Sequence, residues 1–181
     1  MTVARERPSW LAVLLRRVAT AFALAGAAAA LAAALLTVTS VALRALTSRP
    51  IQGDVELTQF LIALAISLCV PWCQLQGANI IVDFFTQRLP LSRRRVLDGI
   101  GALCMAVMLG LLSWRTGVGA VAVHAAGETS MIRALPMWWV YASLAPGLAL
   151  AALIAVVQAV YQLRGLRLTA LQATRIEDQA L

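Results

Sequence analysis

Between Val18 and Leu43 the chain carries no charged residue and is rich in Ala and Leu. A helix rises about 1.5 Å per residue, so such a run crosses roughly 30 Å of hydrocarbon with residues to spare. In lipid a chain must satisfy its own backbone polar groups, which predicts a transmembrane helix over residues 18–43. Three further apolar segments, 55–75, 96–114 and 137–161, meet the same length requirement. The composition agrees: 61% of residues are hydrophobic, 13% are charged and the mean hydropathy is +0.84. A soluble domain is about half apolar and about a quarter charged. The expected fold class is an all-α integral membrane protein with four transmembrane helices, forming one membrane domain over residues 1–181.

All 15 basic residues are Arg, and they are unevenly placed. Arg5, Arg7, Arg16 and Arg17 precede the first span, Arg88, Arg93, Arg94 and Arg95 separate the second and third, and Arg164, Arg167 and Arg175 follow the fourth. Only Arg44, Arg49, Arg115 and Arg133 fall on the other side. The positive-inside bias predicts that both termini are cytoplasmic and that residues 162–181 form a cytoplasmic tail. Trp10 and Trp72 then lie at the inner boundary, and Trp114, Trp138 and Trp139 at the outer one, where aromatic belts belong. The net charge of +7 is explained by topology, and nucleic acid is not an expected partner.

The stretch before the first span has two readings. Residues 8–17 suit a short interfacial helix, with Ser9 as its cap and Trp10, Leu11, Leu14 and Leu15 as an apolar stripe beside Arg16 and Arg17. Alternatively they extend the first span. A cleavable signal peptide does not fit, because the apolar run is too long and three more follow. The run GAAAALAAALL, with Gly99, Gly101 and Gly110 on the third span, allows close helix packing and suggests a compact bundle. Pro146 and Gly147 are expected to kink the fourth span. Beyond Trp114 the chain stays apolar through GVGAVAVHAAG, which predicts a third helix prolonged until Gly127 ends it. Thr129–Pro136 reads as an irregular connection, either a plain loop or a surface for an external partner.

Signs of catalysis are sparse. His124 is the sole His, and no metalloprotease, nucleophile-elbow, phosphate-loop or paired-Cys motif is present. Cys69, Cys73 and Cys104 lie in or at the ends of apolar spans and read as small packing residues. The chain is expected to be no enzyme and to hold no cofactor or metal. A stand-alone four-helix exporter would need a membrane-embedded acidic residue, and the first span has none; Asp54, Glu56, Asp83, Asp98 and Glu128 sit near span ends.

Polar character concentrates at the end of the second span, in LCVPWCQLQGANIIVDFF over residues 68–85. On a helix Gln76, Asn79 and Asp83 share one face, flanked by apolar Ile80, Ile81, Phe84 and Phe85, and Gly77 permits a bend or a close contact. Two readings stand: a solvated amphipathic stretch at the headgroups, or a hydrogen-bonded joint within the chain or against a partner.

With its surroundings this run resembles the small membrane subunit of tripartite ATP-independent periplasmic (TRAP) transporters, the DctQ-like family. The resemblance begins with GDVELTQF at 53–60, is clearest in PWCQLQGANIIVDFFTQRLP at 71–90, and continues through the Arg-rich loop to ETSMIRALPMWWVYASLAPGLAL at 128–150. A Gly-x-His-x-x-Val-Asp-like signature common in that family is matched by Gly77, Val82 and Asp83, with Asn79 in the place of the His. Asn still donates and accepts hydrogen bonds but does not titrate near neutral pH, so a structural role is open to it and a proton switch is not. The resemblance implies a multi-pass protein of the bacterial inner membrane that scaffolds a large permease subunit. That subunit would carry the sodium and solute sites, and a periplasmic solute-binding protein would deliver a small, commonly carboxylate-bearing solute. Glu56, Gln76, Gly77, Asn79 and Asp83 are then candidates for motif or subunit-interface contacts, and Arg115, His124 and Arg133 weaker candidates on the outer side. Membrane lipids are the remaining expected partner. A stand-alone exporter and an adaptor or assembly protein unrelated to transport are the alternatives.

Overall fold

The structure, a computed structural model, describes residues 10–48, 51–76 and 91–163. Four helices account for nearly all of them: α1 (Trp10–Thr47), α2 (Asp54–Leu75), α3 (Leu91–Ala126) and α4 (Trp138–Leu163). All four are long and apolar enough to cross a membrane. The chain is a multi-pass membrane protein of the all-α class.

α1 and α3 run well past the limits that hydropathy sets, whereas α2 and α4 keep close to them. α1 has 38 residues and is about 57 Å long at 1.5 Å per residue. It continues from Trp10 through Arg16 and Arg17 into the apolar run without a break. Residues 10–17 are therefore its first turns, not a separate interfacial helix; Pro8 and Ser9 lie outside the described residues. The reason is local: no Gly or Pro interrupts LLRRVAT, the Thr20 hydroxyl bonds back to Arg16 O within the helix, and Leu15 and Ala19 are buried together. α3 likewise extends to Ala126. Gly127 ends it at φ 64, with its N–H donating to His124 O (3.2 Å) and Glu128 N–H to Val123 O (3.3 Å). That pair of bonds is a Schellman cap, which needs a residue free to adopt the left-handed conformation.

The helices pack in the order α1–α2–α4–α3. Among the described residues α1 touches α4 only marginally, and α3 has extensive contact with α4 alone. The small residues do not produce the compact bundle expected of them but an open layer with α1 and α3 at its edges. Sequential neighbours run antiparallel, so α2 and α4 are parallel and form the middle. One end of the layer carries the α1–α2 and α3–α4 connections and is called the turn end.

Small side chains line the seams. α1 buries Leu15, Ala19, Gly26, Ala29, Ala33 and Ser40, spaced by threes, fours and sevens as in a coiled-coil stripe. At its middle a Cβ on Gly26 would lie 2.8 Å from Cys69 Sγ and 3.0 Å from the Ala65 carbonyl oxygen, so the absent side chain sets the α1–α2 approach. α4 buries Gly147, Ala151, Ile154, Ala155, Gln158 and Ala159. Such stripes suit association in lipid, where close van der Waals contact replaces the hydrophobic effect. Large side chains point outward: Leu24, Leu31, Leu35 and Val38 on α1, and Val107, Met108, Leu111 and Leu112 on α3, are all exposed.

Candidate functional site

The polar groups inside the layer meet where α2 crosses α4. Pro71 sits within α2, near its C-terminal end, and is fully buried. Lacking an N–H, it leaves the carbonyl of Ser67, four residues earlier, without its helical donor. That carbonyl lies against Gly147 of α4, where a Cβ would overlap both the Ser67 carbonyl oxygen and its hydroxyl. The Ser67 hydroxyl donates to Leu144 O at 2.7 Å, and from the other side Ser113 of α3 donates to Ala145 O at 3.0 Å. The acceptors lie two residues and one residue before Pro146 of α4. Neighbouring hydroxyls thus bond α4 carbonyls beside its proline, although the carbonyl that Pro146 itself leaves without a helical donor is that of Ala142, four residues earlier.

Two turns along α2, Gln74 and Gln158 form a second joint. Gln74 Nε2 donates to Gln158 Oε1 at 2.8 Å, and Gln158 Nε2 donates to the Gln74 backbone oxygen at 2.7 Å. Both side chains are buried, at 7% and 6% exposure. Two neutral amides pair without the desolvation cost of two charges, the better solution inside a membrane span.

The turn end is tied together by ionic groups. Gly53 precedes α2 in the left-handed conformation (φ 74), and a Cβ there would lie 2.8 Å from Arg133 Cγ. Both the φ and the space require glycine. Asp54 and Glu56 follow in the first turn of α2, where the helix dipole favours acids. Asp54 accepts a short hydrogen bond from buried Ser40 of α1. Glu56 accepts from Ser130 Oγ (2.8 Å), Ile132 N–H (2.9 Å) and Arg133 N–H (3.4 Å). Arg133 Nε donates to Gln52 O at 2.8 Å. The α3–α4 connection is more regular than its sequence suggests: Thr129 bridges Pro136, Ser130 N–H donates to Leu135 O (2.8 Å), and Met137 N–H donates to Glu128 O (3.1 Å). It is a small hairpin latched onto α2 by Glu56. Beside it His124 meets the Trp138 ring edge-to-face, with centroids 5.0 Å apart.

The residues singled out from sequence fall into three groups. Glu56 and Arg133 are brought together at the latch, and His124 stands next to it on Trp138. Gln76 is exposed just after α2, with its N–H on Trp72 O at 3.1 Å, and Arg115 is exposed on α3; neither joins the latch. Gly77, Asn79 and Asp83 lie outside the described residues. Sequence reasoning did not single out Ser40, Ser67, Ser130 or Gln158 and treated Gln74 only as part of a polar run. A lone amide within the apolar VVQAVY of α4 was the available signal for Gln158. An open groove of about 520 Å³, lined on α3 by Gly110, Ser113, Trp114 and Gly117 and on α4 by Ala149 and Ala152, carries no charged side chain.

A family model for the DctQ component of tripartite ATP-independent periplasmic transporters matches residues 33–165. The chain belongs to that family. The match runs from the middle of α1 to the end of α4 and takes in both joints and the latch. No curated protein and no solved structure matches the chain. As a DctQ component it is a small membrane subunit of a TRAP-type transporter.

Proposed function

We propose that this subunit is a scaffold for a large permease subunit in the bacterial inner membrane and takes no direct part in solute coordination. Both termini face the cytoplasm and the turn end faces the periplasm. The large subunit couples sodium to uptake of a small solute, commonly a carboxylate, delivered by a periplasmic binding protein. One observation carries this reading: within the described layer Ser67, Gln74, Ser113 and Gln158 are engaged by other parts of the same chain, and among the described buried side-chain polar atoms only Gln162 Oε1 has no hydrogen-bond partner. What the open layer presents outward is apolar surface, suited to lipid and to partner helices. Gly77, Asn79 and Asp83, just beyond exposed Gln76, are proposed as the contacts to the large subunit. Glu56, His124 and Arg133 order the periplasmic end that the binding protein approaches, and Arg115 is exposed on the same half of α3.

The test is reconstitution. Co-expression with a large TRAP permease subunit from the same source should yield a co-purifying complex, and proteoliposomes should need that complex and the binding protein for sodium-dependent uptake. Uptake by this chain alone would overturn the scaffold reading in favour of an independent exporter. Asp83→Ala should weaken co-purification; unchanged assembly and uptake would place Asp83 at the solvated headgroups instead.

A further inference from the structure

The latched hairpin between α3 and α4 has an apolar tip. Met131 is 100% exposed and Ile132 62%, while the residues on either side of them are held. Ser130 and the backbone N–H groups of Ile132 and Arg133 are bound to Glu56, and the hairpin closes on itself through Ser130 and Leu135. The tip is therefore presented by fixed backbone.

Its depth follows from its anchor. Glu56 is the third residue of α2, an apolar helix long enough to span the membrane, so a loop bonded to it is held at the span boundary. Trp138 and Trp139 open α4 immediately after the hairpin, and Trp139 is itself 59% exposed, as is typical of the interfacial aromatic belt. Arg133 directly follows the apolar pair, and Gln52 O engages only its Nε; its other guanidinium donors have no partner among the described residues. Two apolar side chains beside a cation at this depth match what inserts into a lipid interface: hydrocarbon below, phosphate alongside.

We propose that Met131 and Ile132 insert into the outer leaflet and that Arg133 contacts lipid phosphate, so that the hairpin anchors the turn end of the layer to the bilayer surface. The proposal concerns lipid and is independent of the transport role; that the leaflet is the outer one rests on the orientation proposed above.

The experiment places a nitroxide at the tip of the full-length chain in phosphatidylcholine–phosphatidylglycerol vesicles. Cys69, Cys73 and Cys104 are first replaced by Ala, and Met131→Cys is labelled; Ile132→Cys serves if that variant gives too little protein, and Glu128→Cys is the aqueous reference. Collision with oxygen, which concentrates in lipid, is compared with collision with a water-soluble nickel chelate. Insertion predicts a tip more accessible to oxygen than to nickel, with the order reversed at Glu128. Greater nickel accessibility at the tip would overturn the proposal by placing it in water. Protection from both reagents would also overturn it, by showing that protein, a second copy of the chain included, covers the tip.

Discussion

The α2–α4 seam and the turn-end latch do the same mechanical task with opposite chemistry. Each ties together residues far apart in the chain: Gln74 and Gln158 are 84 positions apart, Glu56 and Ser130 are 74. In the seam every partner is neutral, and the side chains that form it, Ser67, Gln74 and Gln158, are buried. At the latch the acceptor is a carboxylate, half-exposed at the end of a span. The difference follows depth. A lone charge within the hydrocarbon costs several kcal/mol, whereas an amide pair meets its own demands, so charge is confined to the rim where water and headgroups share the load. The seam should therefore govern global stability and the latch local order.

Substitutions can break that contrast in order of severity. Gly147→Leu should be worst, because its Cβ alone collides with the Ser67 backbone, which is not free to move as a side-chain end would be. Overpacking of this kind costs about 1–3 kcal/mol and occasionally more, so we expect loss of folded protein in detergent, read by thermal unfolding and size-exclusion yield. Gln158→Leu should come next, at about 1–2 kcal/mol, because it strands the Gln74 amide in an apolar seam. The paired variant Gln74→Leu with Gln158→Leu should recover part of that loss; no recovery would mean that the amides do more than satisfy one another. Ser67→Ala should cost about 0.6 kcal/mol, the size of a typical interhelical hydrogen bond in membrane proteins.

Glu56→Ala should have the smallest global effect and the sharpest local one. The thermal midpoint should barely move, while amide exchange at Ile132 and Arg133, whose N–H groups bond the carboxylate, should accelerate strongly. A fall in stability matching that of Gln158→Leu would erase the distinction between seam and latch.

Much of this was legible in the residues. The four spans follow from hydropathy and length, and Gly127 as the end of α3 follows from a lone glycine after an apolar helical run. Glu56 stood out through the motif it belongs to. Its partners did not, because Ser130 and the amides after it lie in a connection whose sequence looks irregular. Gln74 looked like one member of a polar run and Gln158 like a lone amide, and only the parallel placement of α2 and α4 makes them a pair. Residues 10–17 read as amphipathic because Trp10, Leu14 and Arg17 do point outward; Leu15 packs inward onto Ala19, Leu75 and Ile154, which the stripe alone could not reveal.

By itself the sequence determined that this is a membrane protein with four apolar spans, that its Arg residues cluster at one set of span ends, and, through the pattern spread over most of the chain, its family. These properties are local, set by each segment's own partitioning between water and lipid. The tertiary structure decided which seams are tight, that the layer is open in the order α1–α2–α4–α3, and which polar groups find partners. Small residues permit close approach on any face they occupy, so only the assembled crossing of Pro71, Ser67 and Gly147 selects the face that is used.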